Sequence, residues 1–179
     1  IDRTYRTRPE ASQRAIMGYS MGGFGAFMLP ALNPDLFRAS LALSMSVRTD
    51  DQYTAEEQDG WDEQWGRIFG GTGKTGTERL TAYYRKHSPF HFITGKQKEN
   101  LRKLAIYIDN GDKEETLCRS NEELHMKLLD ENIPHTYRVR AGGHEFSVWR
   151  AAMREGFRFA DSCFRRKSAV ESQIQEKAG

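Results

Sequence analysis

The sequence lacks the features that mark several classes of protein. Its 27 basic and 25 acidic residues leave a formal net charge of only +2, so no strong attraction to nucleic acid or to an anionic membrane is predicted. Its two cysteines, Cys118 and Cys163, have neither metal-ligand nor C-x-x-C spacing. No apolar run approaches the roughly 18 residues of a membrane span, and no signal peptide is visible. The composition therefore indicates no metal, no cofactor, no nucleic-acid partner and no membrane partner.

The sequence does contain a short glycine-flanked serine motif near its beginning. Residues 18–22 read G-Y-S-M-G and fit G-x-S-x-G, with the apolar stretch 15–17 before them and a small-residue stretch after them. This order predicts a strand over 15–18, a tight turn at Ser20 and a helix over 21–32. Pro30 is expected to kink or shorten that helix. Ser20 is the candidate nucleophile, because a serine hydroxyl must be lifted on such a turn for a histidine to take its proton.

A strand–turn–helix unit of this kind is called a nucleophile elbow. An elbow at residue 20 leaves little sequence for the strands that usually precede it. Since each strand-helix-strand unit takes ~30 residues, we expect roughly a hundred residues of the domain to lie upstream. Any export signal would lie there too, so the compartment is left open. The backbone N–H of Met21 is one predicted oxyanion donor, and a second donor is expected from an earlier loop.

The rest of the chain alternates strands and helices. Strands are predicted over 39–44, 104–108 and 136–140, the last as a half-exposed edge, and amphipathic helices follow the last two. These elements predict an α/β fold with a mostly parallel sheet, in a partial domain over 1–166 followed by a polar tail over 167–179. Because half a parallel sheet leaves one edge strand unpaired, self-association is also predicted.

An acidic, tryptophan-bearing insertion interrupts this pattern over about 47–76. An insertion of this kind at the strand ends is typical of a lid that shapes a substrate site. The alternative is a solvated acidic loop that the tryptophans merely anchor. On the lid interpretation Trp61 and Trp65 are candidate substrate-binding residues, together with Tyr19 of the elbow.

His144 is the candidate general base, because it follows the last predicted strand in a turn that contains two glycines. Side chains after parallel strands meet at one edge of the sheet, so His144 can reach the nucleophile despite its distance in sequence. Its carboxylate partner is expected after the third strand. Four residues there qualify, and the residues alone do not rank Asp109, Asp112, Glu114 and Glu115.

With these pieces in place, the chain resembles the esterase D-like α/β-hydrolases, which include S-formylglutathione hydrolases, tributyrin-type esterases, and feruloyl and acetyl xylan esterases. The resemblance runs over about 14–160, and its motifs are G-Y-S-M-G-G-F-G-A at 18–26, N-P-D-L-F at 33–37, I-D-N-G at 108–111, and 133–140 leading into G-G-H at 142–144. It implies the C-terminal half of the fold, with the upstream half absent. The resemblance also implies that the acid stands three residues after the turn glycine, at Glu114. The segment is one residue longer than usual, so Asp112 or Glu115 could take that role.

The resemblance implies a serine carboxylic ester hydrolase that needs no cofactor. The insertion favours short-acyl, aromatic or carbohydrate-linked esters, because aromatic side chains provide stacking surfaces for rings. Two alternatives stay open at this point. One is an acyltransferase that uses the same triad, and the other is a non-catalytic carbohydrate-binding remnant.

Overall fold

A computed structural model describes residues 1–165, so the predicted polar tail lies outside the described residues. Four strands form one parallel sheet in the order β1-β2-β3-β4. They are β1 (Ala15–Tyr19), β2 (Ala39–Leu43), β3 (Ala105–Gly111) and β4 (Thr136–Arg140). The register pairs Tyr19 with Leu43 and Gly111 with Arg140. All four predicted strands and the α/β class are confirmed.

Helices cover both faces of this sheet. The main ones are α1 (Met21–Leu32), α7 (Gly95–Lys103), α8 (Glu115–Asp130) and α9 (Phe146–Arg165), and the shorter ones are α2 (Asp50–Ala55), α3 (Gln58–Gly60), α4 (Gly66–Phe69), α5 (Ala82–His87) and α6 (Pro89–Phe92). A π-helical turn, Trp61–Trp65, joins α3 to α4, and 3-10 turns occupy Ala11–Gln13 and Gly76–Arg79. None of these helices is long and apolar enough to cross a membrane.

Side chains alternate between two cores, because successive strand residues point to opposite faces. Ala42, Ile106 and Ile108 pack on one face with α1, α7 and α8. Leu41 and Tyr107 pack on the other face with α9. Within the described residues β1 has a paired strand on one side only. The self-association expected from that edge stays a prediction.

Helix α1 continues through Pro30 to Leu32, so the proline does not shorten the helix as it was expected to do. A proline has no N–H, so the carbonyl of Ala26, four residues back, loses its helical donor. The hydroxyl of Ser40 on β2 donates to that carbonyl at 2.8 Å, and Ser40 is fully buried. A side chain from the sheet thus satisfies the acceptor that the proline leaves open, and the helix continues to Leu32.

The insertion folds around a cluster of buried aromatic side chains, here called the aromatic cluster. Its members are Tyr53, Trp61, Trp65, Phe69 and Tyr84. The buried guanidinium of Arg79 donates to the carbonyls of Tyr53 and Glu56 at 2.9 and 2.6 Å and lies over the Trp61 ring at 4.8 Å. The segment is therefore an internally bonded unit and not a solvated acidic loop.

Candidate active site

The backbone at Ser20 has the strained geometry of a nucleophile elbow. Its φ of 55° and ψ of −123° are unusual for a residue with a side chain and cost on the order of 1–3 kcal/mol. Hydrogen bonds enforce this conformation: the Ser20 N–H donates to Leu43 O at 2.9 Å, and the Ser20 carbonyl accepts from the N–H groups of Phe24 and Ser46 at 3.1 and 3.0 Å. The turn lifts the Ser20 hydroxyl away from the end of β1.

Two glycines of the motif are required by close packing. A Cβ on Gly18 would lie 2.1 Å from the carbonyl oxygen of Gly22, and a Cβ on Gly23 would lie 2.8 Å from Leu43 O. Both contacts are with backbone, which cannot move aside without shifting α1 from the sheet. A Cβ on Gly22 would meet nothing within 4 Å. The packing of β1 against α1 therefore depends on Gly18 and Gly23, whereas Gly22, in the first turn of α1, has open space beside it.

The structure brings Ser20 and His144 into hydrogen-bonding distance. His144 lies in the turn between β4 and α9, and its Nε2 is 2.9 Å from Ser20 Oγ. The turn is tight at Gly142, where φ is 134° and a Cβ would collide with Val148 at 2.3 Å. The His144 side chain is 39% exposed, so solvent reaches the dyad. The geometry suits proton transfer from the serine hydroxyl to the imidazole.

Of the four carboxylates left open by the sequence, Glu114 faces the histidine. Its Oε1 lies 3.6 Å from His144 Nδ1, and its side chain is 1% exposed. This distance is that of an ion pair and is too long for a hydrogen bond. Burial raises the pKa of Glu114, while the Ser44 hydrogen bond and the charge of His144 pull that pKa back down.

The other three carboxylates have different roles or lie at the surface. Asp112 Oδ1 accepts from the Gly142 N–H at 2.9 Å and so braces the histidine turn. Asp109 is buried in a bidentate contact with Arg140 and accepts from the Tyr107 hydroxyl at 2.8 Å. Glu115 begins α8 and is exposed. None of these three contacts His144.

The backbone N–H of Met21 lies at the first residue of α1, immediately after the nucleophile. A helix N-terminus presents unpaired N–H groups and a partial positive charge, which suits an oxyanion. The Met21 side chain packs against the aromatic cluster. The insertion therefore packs against the first residue of α1.

The structure places Trp61 and Trp65 differently from the sequence-based expectation of substrate contact. Their exposed fractions are 0% and 1%, and both side chains point into the aromatic cluster. Both rings are buried in the apolar interior of the insertion and so are not available at the surface. Tyr19, in contrast, is 42% exposed beside Ser20 and stacks on Trp149 with ring centroids 4.3 Å apart. A lid role for the insertion stays a prediction.

Sequence reasoning missed three side chains at the site. Ser46 Oγ lies 3.3 Å from Ser20 Oγ, and Ser44 Oγ contacts Glu114 Oε1 at 2.5 Å. Trp149 lies in T-shaped contact with the His144 ring at 4.8 Å. Ser44 and Ser46 could have been predicted as site residues from their position shortly after β2, because site residues in parallel sheets follow the strands.

His91 pairs with a carboxylate that is distant in sequence. Its Nε2 lies 2.8 Å from Oδ1 of Asp50, which is 41 positions earlier. This pair borders an open groove of about 870 Å³ between α2 and the start of α8, and neither Ser20 nor His144 lines that groove. Among residues 1–165, no three or more His, Cys, Asp and Glu side chains are arranged to hold a metal ion.

A strand–serine–helix elbow, with a carboxylate and then a histidine after later parallel strands, defines the α/β-hydrolase class. Within that class the chain belongs to the Esterase family, whose model matches residues 1–160. The predicted family resemblance is thereby confirmed. No curated protein gave a significant sequence match.

Solved structures agree with this assignment. A ferulic acid esterase is 26% identical over 91% of this chain and 56% of its own, with a TM-score of 0.67. The fluorophosphonate-binding serine hydrolase F of Staphylococcus aureus is 18% identical over 92% of this chain and 59% of its own, with a TM-score of 0.69. The S-formylglutathione hydrolase of Staphylococcus aureus is 16% identical over 89% and 58%, with a TM-score of 0.64. The last two likenesses show the fold alone, and this chain spans a little over half the length of all three.

Proposed function

We propose that this chain carries the catalytic residues of a serine carboxylic ester hydrolase that works through an acyl-enzyme. The observation that carries the proposal is the series of contacts from Ser20 Oγ through His144 to Glu114, at 2.9 and 3.6 Å, between side chains that follow three different strands. The roles rest on this geometry together with the Esterase family match.

In the proposed reaction Ser20 Oγ attacks the ester carbonyl carbon while His144 Nε2 takes the hydroxyl proton. The Met21 N–H donates to the oxyanion of the tetrahedral intermediate. Glu114 orients the imidazole and stabilises its positive charge. His144 then gives the proton to the leaving alcohol, and the C–O bond breaks to leave acyl-Ser20. Water, deprotonated by His144, attacks the acyl carbon and releases the carboxylic acid and free Ser20.

The surface around Ser20 supports an ester with a ring close to the scissile bond. The exposed Tyr19 ring and the Trp149 ring stacked on it offer an aromatic surface beside the nucleophile. Planar acyl groups and sugar rings stack on such surfaces. The ferulic acid esterase that is 26% identical to this chain is named for an aromatic-acyl ester, which supports the same class. We therefore propose aromatic-acyl or carbohydrate-linked esters as substrates.

The test is covalent labelling of the chain by a fluorophosphonate, read by intact mass. We expect one adduct, which is lost in Ser20→Ala and in His144→Ala. The acid is tested by a matched pair of variants, Glu114→Gln and Asp112→Asn. Glu114→Gln should slow labelling by about 100-fold or more, since a neutral amide cannot stabilise the imidazolium. Asp112→Asn should label at close to the normal rate.

The opposite ranking of the two acid variants would move the role to Asp112. A folded chain that forms no adduct would reject an activated Ser20 and favour a non-catalytic remnant. If labelling succeeds, a panel of methyl ferulate, acetylated xylan and long-chain acyl esters tests the substrate class. Faster turnover of the long-chain esters would contradict the proposed class.

A further inference from the structure

A single indole, that of Trp149, contacts three parts of the candidate site. Its Nε1 donates to Ser44 Oγ at 2.8 Å. Its face stacks on Tyr19, the residue before the nucleophile, with an interplanar angle of 20°. It also meets the His144 ring in a T-shaped contact at an angle of 85°. Trp149 therefore lies between the elbow, the histidine and the hydroxyl that contacts the acid.

The chemistry of these groups fixes the direction of the hydrogen bonds. An indole N–H can only donate, so Ser44 Oγ accepts from Trp149 and keeps its own proton for another acceptor. That acceptor is Glu114 Oε1 at 2.5 Å, because an ionised carboxylate can only accept. The bonds run from Trp149 to Ser44 to Glu114, and they end on Oε1, the carboxylate oxygen that also lies 3.6 Å from His144 Nδ1.

Ser44 is itself rigidly placed. It is fully buried, its φ is 43°, and its N–H donates to Asp109 O at 2.7 Å. A serine with positive φ is uncommon and needs such support. The strained backbone aims the hydroxyl at Glu114, whose second oxygen, Oε2, is buried with no hydrogen-bond partner in the described residues. The orientation of Glu114 therefore depends on what Oε1 contacts.

We propose that Trp149 and Ser44 are positioning residues for the triad: they fix the carboxylate of Glu114 toward His144 and the His144 ring toward Ser20. This inference rests on the proposed function. Without the Ser44 hydroxyl, Glu114 Oε1 keeps only the 3.6 Å contact to His144, so the orientation of the carboxylate is less restricted. The imidazolium that forms in the reaction would then lose part of its support.

The experiment measures the maximal rate constant, kinact, and the half-saturation constant, KI, of fluorophosphonate labelling in the full chain. For Ser44→Ala we expect kinact to fall about 10- to 100-fold, the usual range for a hydrogen bond to a charged group, with KI unchanged. Trp149→Phe keeps a stacking ring but removes the donor, so its loss should be smaller. The double variant should be no slower than Ser44→Ala, because both changes act on one series of bonds.

The matched control is Ser40→Ala, which removes an equally buried hydroxyl from β2, the strand that Ser44 follows; the Ser40 hydroxyl donates to Ala26 O at 2.8 Å. It should lower the melting temperature and leave kinact unchanged. If Ser44→Ala does not fold, Ser44→Gly removes the same hydroxyl and relieves the strain of a positive φ.

Normal kinact in folded Ser44→Ala or Ser44→Gly, with the wild-type chain labelled, overturns the inference and leaves the proposed function standing. Losses that multiply in the double variant show that Trp149 and Ser44 act separately and also overturn it. A loss in KI instead of kinact assigns them to ligand binding and rejects positioning. A wild-type chain that is not labelled overturns the proposed function and the inference together.

Discussion

The bond between Ser40 and Ala26 gives a quantitative test of how α1 accommodates its proline. Ser40→Ala leaves the buried Ala26 carbonyl with neither the Ser40 hydroxyl nor a helical N–H, because residue 30 is proline. A buried acceptor without a partner costs about 1–3 kcal/mol, so we expect the free energy of unfolding to fall by that amount.

The second variant supplies the missing donor. Pro30→Ala provides an N–H four residues after Ala26, the normal partner of that carbonyl in an α-helix. In the Pro30→Ala background, Ser40→Ala should therefore cost much less than it does alone. The expected coupling between the two sites is about 1 kcal/mol or more, well above the ~0.3–0.5 kcal/mol scatter of independent sites.

The assay is urea unfolding of the wild-type chain, both single variants and the double variant, with the slope m compared to exclude changes in cooperativity. The cost of Ser40→Ala is compared between the wild-type chain and the Pro30→Ala background. The packing lost with the buried proline ring does not affect this comparison, because both chains measured in the Pro30→Ala background lack the ring. Strict additivity would refute the reasoning. It would mean that the Ser40 hydroxyl is not the substitute for the missing helix bond.

Two further predictions concern the elbow and a histidine pair. Gly18→Ala should destabilise the chain by about 3 kcal/mol or more, since the added Cβ would lie 2.1 Å from Gly22 O. Gly22→Ala is the control and should cost nothing, because its Cβ would meet no atom within 4 Å. Equal melting temperatures of the two variants would contradict the packing argument. His125 Nδ1 lies 2.7 Å from His135 Nε2, and burial, followed by the charge of His135, lowers the pKa of His125 from 6.5. The folded state thus favours neutral His125, and its contribution is complete above pH ~6.5 and is lost as pH falls below that value. His125→Phe, which keeps a ring against Tyr137, should flatten the fall in unfolding free energy between about pH 7 and 5, and an unchanged slope would refute this.

The sequence determined the positions of the four strands and the fold class, because both follow from local patterns. Apolar stretches, the glycines around Ser20 and the helical periodicity of residues 117–128 are visible without any contact information. The same patterns placed His144 after the last strand. Parallel strands bring such residues to one edge, so Ser20 and His144 could be named before their 2.9 Å contact was known.

Only the tertiary structure distinguished among the four carboxylates that follow β3. They lie within seven residues, and the sequence alone does not show where each side chain points. The packing of the two turns decides it: Asp112 bonds to Gly142, Asp109 bonds to Arg140, and Glu114 remains to face His144. The resemblance ranked Glu114 first, and the structure supplies a physical reason for that ranking.

Tertiary packing also decided the features that departed from local rules. Pro30 predicted a shortened helix, but the Ser40 hydroxyl, 14 positions from Ala26 in sequence, satisfies the carbonyl that the proline leaves free. Trp61 and Trp65 predicted a surface for substrate, but the insertion has enough apolar area to bury both rings. Local sequence determines what a segment prefers by itself. Contacts between distant segments decide which unsatisfied groups find partners and which side chains remain exposed.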